Sequence, residues 1–189
     1  MELSAFVLAG GKSSRMGCDK ALLTFGGRTL LERAIAIAMD VTGDCRIVGS
    51  RKEYDVYGEV VEDVFAGQGP LAGIHAALQA SETDLNLILA VDTPFVEGDF
   101  LRHVVRRAED SDAMVTVPRT REGLHPLCGI YRREFSSVAE AALREGRNKI
   151  DALFAQLPAL VIEPEEIERL GFSDAMFRNL NSPEDVAGL

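Results

Sequence analysis

Residues 85–91 read LNLILAV, and Asn86 is the only polar residue among them. Asp92, Thr93 and Pro94 follow directly. Apolar residues at successive positions predict a strand that is buried on both faces, which is typical of a parallel sheet covered by helices. Because Asp and Pro favour turns, the strand is expected to end where Asp92 begins a turn.

Short apolar strands and helical patterns alternate along the rest of the chain. Further strands are predicted at residues 3–8, 45–48, 60–61, 113–117, 127–131 and 159–162. Apolar residues recur at helical spacing in residues 29–39, 71–78, 100–108 and 133–145. Thr29 and Glu32 have the spacing of a capping box, and Ser182 with Pro183 predicts the start of a last helix. The β-α-β alternation predicts an α/β fold with a mostly parallel sheet.

Length and charge limit the function classes. The chain has 189 residues and no Pro/Gly/Ser-rich linker, so we expect one domain spanning residues 1–189. Thirty acidic against twenty basic residues give a formal net charge of −10. This excess argues against binding to nucleic acid or to an anionic membrane surface, but it leaves room for a local basic pocket for a small phosphate ligand.

The cysteines and the apolar segments indicate the cellular compartment. Cys18, Cys45 and Cys128 are far apart and show no metal-ligand spacing, so we expect free thiols in a reducing cytoplasm. No apolar run reaches the roughly 18 residues of a membrane span, and the N-terminus lacks the pattern of a signal peptide. We therefore expect a cytoplasmic protein.

A glycine-rich, basic stretch follows the first predicted strand and carries most of the functional information. It reads Leu8-Ala9-Gly10-Gly11-Lys12-Ser13-Ser14-Arg15-Met16-Gly17-Cys18-Asp19-Lys20. Ligands of open α/β sheets bind outside the carboxyl ends of the strands, and consecutive glycines let backbone N–H groups approach an anion. The spacing matches neither a Walker A loop nor G-x-G-x-x-G. The stretch predicts a phosphate-binding turn, with a solvated surface turn as the alternative.

This stretch resembles the motif Leu-Ala-Gly-Gly-x-Ser-x-Arg-Met-Gly-x-Asp-Lys of the molybdenum cofactor guanylyltransferases. The resemblance continues, in the order of the family, through residues 69–74 (GPLAGI), 92–95 (DTPF), 125–127 (HPL) and 179–184 (NLNSPE). It implies a three-layer α-β-α, Rossmann-like nucleotidyltransferase fold of the glycosyltransferase-A type.

The same resemblance implies a reaction and its participants. The enzyme would transfer GMP from GTP to the phosphate of molybdenum-molybdopterin, giving molybdopterin guanine dinucleotide and pyrophosphate with the help of Mg²⁺. Its partners would be GTP, molybdopterin and molybdenum-cofactor delivery proteins.

Residue roles carried over from the family are expectations at matching positions. Arg15, Lys20 and Asp92 would be catalytic, and Asp92 would also hold Mg²⁺. The residues expected to contact GTP are Leu8, Ala9, Gly10, Gly11, Lys20, Asp63 and Asp92. The residues expected to contact molybdopterin are His125, Asn179 and Asn181. Ser50 stands where some members carry an asparagine that contacts the nucleotide.

Several interpretations stay open. A related nucleotidyltransferase that uses CTP or another phosphorylated acceptor is one alternative, and a nucleotide-binding protein without catalysis is another. Asp63 could bond guanine or ribose, or simply end a strand. His75 and His103 show no partner in the sequence and are expected to pack within helices. Surface positions are expected for Arg119, Arg121 and Arg147.

Overall fold

The computed structural model describes residues 2–10, 19–65, 67–180 and 185. The strands of this part are β1 (Leu3–Leu8), β2 (Thr24–Phe25), β3 (Arg28–Thr29), β4 (Arg46–Val48), β5 (Val60–Val61), β6 (Leu85–Ala90), β7 (Val115–Thr120), β8 (Gly123–Leu124), β9 (Cys128–Arg132) and β10 (Ala159–Ile162). The α-helices are α1 (Leu30–Thr42), α2 (Arg51–Tyr54), α3 (Pro70–Ala80), α4 (Gly98–Glu109), α5 (Phe135–Arg144), α6 (Ile150–Phe154) and α7 (Pro164–Arg169). The 3-10 helices of the described residues cover Lys20–Leu22 and Asp174–Phe177.

The strands form one main sheet in the order β10-β7-β9-β6-β1-β4-β5, and β8 pairs with β7. β1 lies parallel to β6 from Leu3 beside Leu85 to Leu8 beside Ala90. β9 is antiparallel to both β6 and β7. The predicted α/β fold with a mostly parallel sheet is confirmed. The parallel register also brings the segments after β1 and β6 to the same edge of the sheet.

Helices cover both faces of this sheet, which explains why its central strands are apolar at successive positions. Phe6 packs in one buried cluster with residues of α3 and α5, whereas Val7 packs in the other with residues of α1 and α4. Ile88 and Leu87 of β6 divide between the two clusters in the same way. Each cluster lies between the sheet and one helix layer, so the architecture is α-β-α.

The sequence predicted the long elements better than the short ones. Thr29 caps α1, and its capping box with Glu32 is present. β7 begins at Val115 and ends at Thr120, later than the prediction of residues 113–117, and β9 is shifted by one residue from residues 127–131. The β2–β3 hairpin, α2, β8, α6 and α7 were not predicted, because elements of two to six residues carry too few periodic positions.

Two further predictions concern the last helix and membrane spans. The predicted helix start at Ser182 and Pro183 lies outside them. No helix in the described part of the chain has the length and apolar content needed to cross a membrane.

Candidate active site

The end of β1 is held against β4 by backbone hydrogen bonds. The N–H groups of Ala9 and Gly10 both donate to the carbonyl oxygen of Val48, at 3.0 and 3.2 Å. Leu8 and Ala9 are 7% exposed each, and their carbonyl oxygens accept bonds from the Val91 N–H and the Tyr54 hydroxyl. These two residues therefore shape the strand end, whereas Gly10 is exposed and lines a cavity.

A lysine and an aspartate from separate segments meet at this edge. The Lys20 Nζ lies 2.8 Å from Oδ2 of Asp92, and the side chains are 18% and 25% exposed. Asp19 caps the 3-10 helix that begins with Lys20, since its Oδ1 accepts from the Ala21 N–H at 3.0 Å. Within the described residues, Oδ1 of Asp92 makes no hydrogen bond. The pair thus joins the last residue of the glycine-rich stretch to Asp92, which lies two residues after the end of β6.

The larger cavity at this edge has a volume of about 520 Å³ and follows the ends of β1, β4 and β5. We call it the glycine-lined cavity; its lining residues are Gly10, Gly49, Ser50, Glu62, Asp63, Gly67, Gly69 and Pro70. It contains the predicted residues Gly10 and Asp63 and the weaker candidate Ser50. Glu62 was missed by the sequence analysis, although it directly precedes Asp63.

A second cavity of about 190 Å³ lies where β6 and β9 meet. We call it the Asp92 pocket; its lining residues are Ala90, Asp92, Thr93, Leu124, His125, Pro126, Leu127, Cys128 and Asn179. The structure therefore brings His125 and Asn179 together with Asp92, although these residues are far apart in the sequence. Because β6 and β1 are neighbours in the sheet, the two cavities follow one another along the same edge.

Aromatic and backbone contacts hold His125 and Asn179 in the Asp92 pocket. The His125 ring stacks on Phe177 with a centroid distance of 4.2 Å. The Leu180 N–H donates to the Asp92 carbonyl oxygen at 2.8 Å, and Phe177 and Leu180 are both buried. Asn179 is exposed between these two buried residues, whose packing holds it at the Asp92 pocket.

The surroundings of His125 indicate a neutral ring. Its Nε2 lies 2.9 Å from Oγ1 of Thr120, and that hydroxyl accepts from the Glu122 N–H at 3.2 Å. Because a hydroxyl has one proton and two lone pairs, Thr120 can donate to Nε2 or accept from it. Burial lowers the pKa of His125, so the ring is uncharged at neutral pH.

Other sequence candidates lie elsewhere. Gly11, Arg15 and Asn181 are outside the described residues. His75 is packed in α3 as expected, and His103 of α4 packs against Glu166, a partner that the sequence did not indicate. Arg119, Arg121 and Arg147 lie on the surface as expected and each faces a glutamate. In the described residues, Cys45 and Cys128 are free thiols, and no group of three or more His, Cys, Asp or Glu side chains is arranged to hold a metal.

Comparisons with known proteins show the family of the chain. Residues 5–160 match the family model described as MobA-like NTP transferase domain. A protein of Flavobacterium johnsoniae named "Probable molybdenum cofactor guanylyltransferase" is 32% identical over 99% of this chain and 96% of its own length. The molybdopterin-guanine dinucleotide biosynthesis protein A of Archaeoglobus fulgidus superposes with a TM-score of 0.84 at 25% identity, over 98% of this chain and 95% of that one.

A third comparison shows the breadth of the fold. The 2-C-methyl-D-erythritol 4-phosphate cytidylyltransferase of Thermus thermophilus has a TM-score of 0.70 at 20% identity, over 99% of this chain and 96% of that one. The fold and the family model are those of a nucleotidyltransferase. The chain belongs to the MobA-like NTP transferase family, and its matched relatives are named molybdenum cofactor guanylyltransferases.

Proposed function

We propose that the protein transfers GMP from GTP to the phosphate of molybdenum-molybdopterin, forming molybdopterin guanine dinucleotide and pyrophosphate with the help of Mg²⁺. An oxygen of the acceptor phosphate attacks the α-phosphorus, and the bond to the leaving pyrophosphate breaks. The chain's relatives carry the name of this activity. Such a transfer depends on positioning and electrostatics, and it requires no nucleophilic side chain.

The contact between Lys20 and Asp92 is the observation that carries this proposal. Asp92 lines the Asp92 pocket, and the glycine-lined cavity follows the neighbouring strand ends of the same sheet edge, so a substrate in each cavity would direct its phosphate toward this contact. Both substrates are anionic, and two unit charges about 4 Å apart repel by about 4 kcal/mol at an effective dielectric constant of about 20. Lys20, together with Arg15, would offset this repulsion.

The residues at Asp92 fit Mg²⁺. The ion commonly takes one or two carboxylates together with substrate phosphates and waters, rather than a cage made of protein ligands. Asp92 offers such a carboxylate, because Lys20 contacts Oδ2 while Oδ1 has no hydrogen-bond partner among the described residues. When bound, the ion would neutralise phosphate charge. The chain's own contribution is to hold the carboxylate at the strand end and the lysine beside it.

The glycine-lined cavity suits a nucleotide with hydrogen-bond donors on its base. Guanine presents N–H donors at N1 and N2, and the two carboxylates of Glu62 and Asp63 line this cavity. Ser50 adds a hydroxyl that can donate or accept. Glu62 already accepts the Arg51 N–H at 3.1 Å, so one of its oxygens is held in place by the start of α2. These acceptors support GTP as the substrate.

The Asp92 pocket suits the second substrate. Leu124, Leu127 and Pro126 supply apolar surface, while Asn179 and the neutral His125 supply hydrogen-bonding groups. Apart from Asp92, the residues lining this pocket are uncharged and partly apolar, which suits the ring system of a phosphorylated heterocycle. Asn179 and His125 would therefore orient the acceptor so that its phosphate faces Asp92.

A nucleotide panel tests the proposal. The purified protein is given each labelled NTP with Mg²⁺ and molybdopterin, and pyrophosphate release and dinucleotide formation are measured. We expect turnover with GTP that depends on Mg²⁺ and on the acceptor. A preference for CTP would instead identify a cytidylyltransferase, and tight GTP binding without turnover would identify a binding protein.

A further inference from the structure

Tyr54 is a buried tyrosine whose hydroxyl lies between the two ends of the glycine-rich segment. It is the last residue of α2 and is 2% exposed. Its hydroxyl donates to Oδ2 of Asp19 at 2.7 Å and lies 3.2 Å from the carbonyl oxygen of Ala9, a second acceptor for the same proton. One side chain from outside the segment thus contacts the residues on either side of positions 10–18.

The position of the Tyr54 ring depends on the absence of a side chain at Gly49. A Cβ atom at Gly49 would lie 2.7 Å from Cε2 and 2.9 Å from Cδ2 of the ring, closer than carbon atoms approach in proteins. The Gly49 N–H donates to the Val61 carbonyl oxygen at 3.0 Å, which fixes this backbone between β4 and β5. The ring therefore packs against backbone that cannot easily move away.

Asp19 connects Tyr54 to the Lys20–Asp92 pair. One carboxylate oxygen of Asp19 accepts from Tyr54, and the other accepts from the Ala21 N–H at the start of the 3-10 helix. Lys20 follows at once, and its long, flexible side chain can stay near Asp92 only if its backbone is fixed. Burial, followed by the bond to Asp19, raises the pKa of Tyr54, so the hydroxyl keeps its proton and remains a donor.

We propose that Tyr54 is a positioning residue that, through Asp19, holds the backbone of Lys20 where its amine meets Asp92 and the triphosphate. Tyr54 itself does not line either cavity, so its effect is indirect. The inference rests on the proposed function, because it is there that Lys20 becomes the phosphate-binding cation.

Tyr54→Phe tests the proposal with little change in packing, since the ring remains against Gly49 and only the hydroxyl is lost. We expect kcat/KM for the nucleotide to fall about tenfold, the scale seen when a partner that orients a functional side chain is removed. The KM for molybdopterin should stay near the wild-type value. Tyr57→Phe is the matched control, because the Tyr57 hydroxyl has no hydrogen-bond partner within the described residues.

A double-mutant cycle separates positioning from a general structural role. Asp19→Ser keeps a side-chain oxygen that can cap the 3-10 helix but is too short to accept from Tyr54 as well. If Tyr54 acts through Asp19, Tyr54→Phe will have little further effect on nucleotide kcat/KM in the Asp19→Ser background. Effects that multiply independently would overturn the proposal.

Amide hydrogen exchange gives a readout that does not require turnover. We expect faster exchange over residues 19–23 in Tyr54→Phe and unchanged exchange in Tyr57→Phe. If the wild-type protein transfers no nucleotide, the proposed function is wrong. Amide hydrogen exchange then still tests whether the Tyr54–Asp19 contact holds the backbone of residues 19–23. If the wild type is active while Tyr54→Phe matches it in both rate and exchange, the positioning role is wrong and the function stands.

Discussion

Two contacts between a basic side chain and a carboxylate have nearly the same nitrogen–oxygen distance and similar burial but different surroundings. Lys20 Nζ lies 2.8 Å from Asp92 Oδ2, and the two side chains are 18% and 25% exposed. His103 Nε2 lies 2.7 Å from Glu166 Oε1, and these side chains are 15% and 14% exposed. The first contact joins two segments at the carboxyl edge of the sheet, and its aspartate lines the Asp92 pocket. The second joins α4 to α7 and lines neither cavity.

Distance and burial therefore do not by themselves distinguish a contact that we propose acts in catalysis from one that joins two helices. Glu166 Oε1 also faces Arg107 at 3.1 Å, so Glu166 has two nitrogen partners on α4, and none of these three residues lines the glycine-lined cavity or the Asp92 pocket. Asp92, in contrast, keeps one oxygen without a hydrogen bond in the described part of the chain and lines an opening. We therefore expect mutation of Asp92 to lower turnover with little change in stability, and mutation of Glu166 to lower stability with little change in turnover.

The largest effect is expected at Asp92. Asp92→Asn and Lys20→Met should each lower turnover about 10²-fold or more, which is typical when a group that stabilises transition-state charge is removed. The melting temperature should change by only a few degrees, because both side chains are partly exposed. Steady-state kinetics and thermal unfolding of the same samples measure both.

Asp99→Asn is the matched control for this experiment. Asp99 is an aspartate on α4 with a side chain 84% exposed, and its contact to Arg102 is on the surface. Its turnover should equal that of the wild type. If Asp92→Asn turns over as fast as this control, Asp92 has only a structural role. The Lys20–Asp92 and His103–Glu166 contacts would then not differ in function.

A smaller effect, on stability alone, is expected at Glu166. Glu166→Gln should lower the free energy of unfolding by about 1–2 kcal/mol, because it replaces a charged acceptor that is largely buried against His103 and Arg107. The kcat/KM for both substrates should stay at the wild-type value. Denaturant unfolding and kinetics measure the two properties, and a large fall in rate without loss of stability would contradict the assignment.

The smallest effect is expected at His75, and it is visible only on acidification. The ring is buried against Phe65, neither nitrogen has a hydrogen-bond partner among the described residues, and burial lowers its pKa. The unfolded state therefore binds more protons than the native state once the pH falls below about 6.5, the ordinary histidine value, so stability declines from there toward the lowered native pKa.

His75→Leu removes this titration. We expect the variant to lose less stability than the wild type between about pH 7 and pH 5, in chemical denaturation at matched ionic strength. Glu140 and Arg144 of α5 contribute opposing electrostatic effects on His75, the first raising and the second lowering its pKa. If stability falls equally with pH in the two proteins, His75 is not the group that causes the loss of stability on acidification.

Part of this site could be predicted from local sequence. The apolar run before Asp92 predicted a buried strand, and the glycine-rich stretch predicted a strand-end turn; since ligands of such sheets bind at one edge, both pointed to the same place. Glu62 was missed because an acidic residue after a short strand has no distinctive spacing. Tyr54 was missed because it belongs to a four-residue helix without periodicity.

The sequence by itself determined the alternation of strands and helices, the capping box at Thr29 and the family of the chain, because these depend on residues that are near one another or in a specific order. Only the tertiary structure decided that Lys20 meets Asp92, that Tyr54 contacts both Ala9 and Asp19, and that Phe177 stacks on His125. Tyr54 and Asp19 are 35 positions apart in the sequence, and Lys20 and Asp92 are 72 positions apart. They follow from strand order and register, which local patterns do not encode.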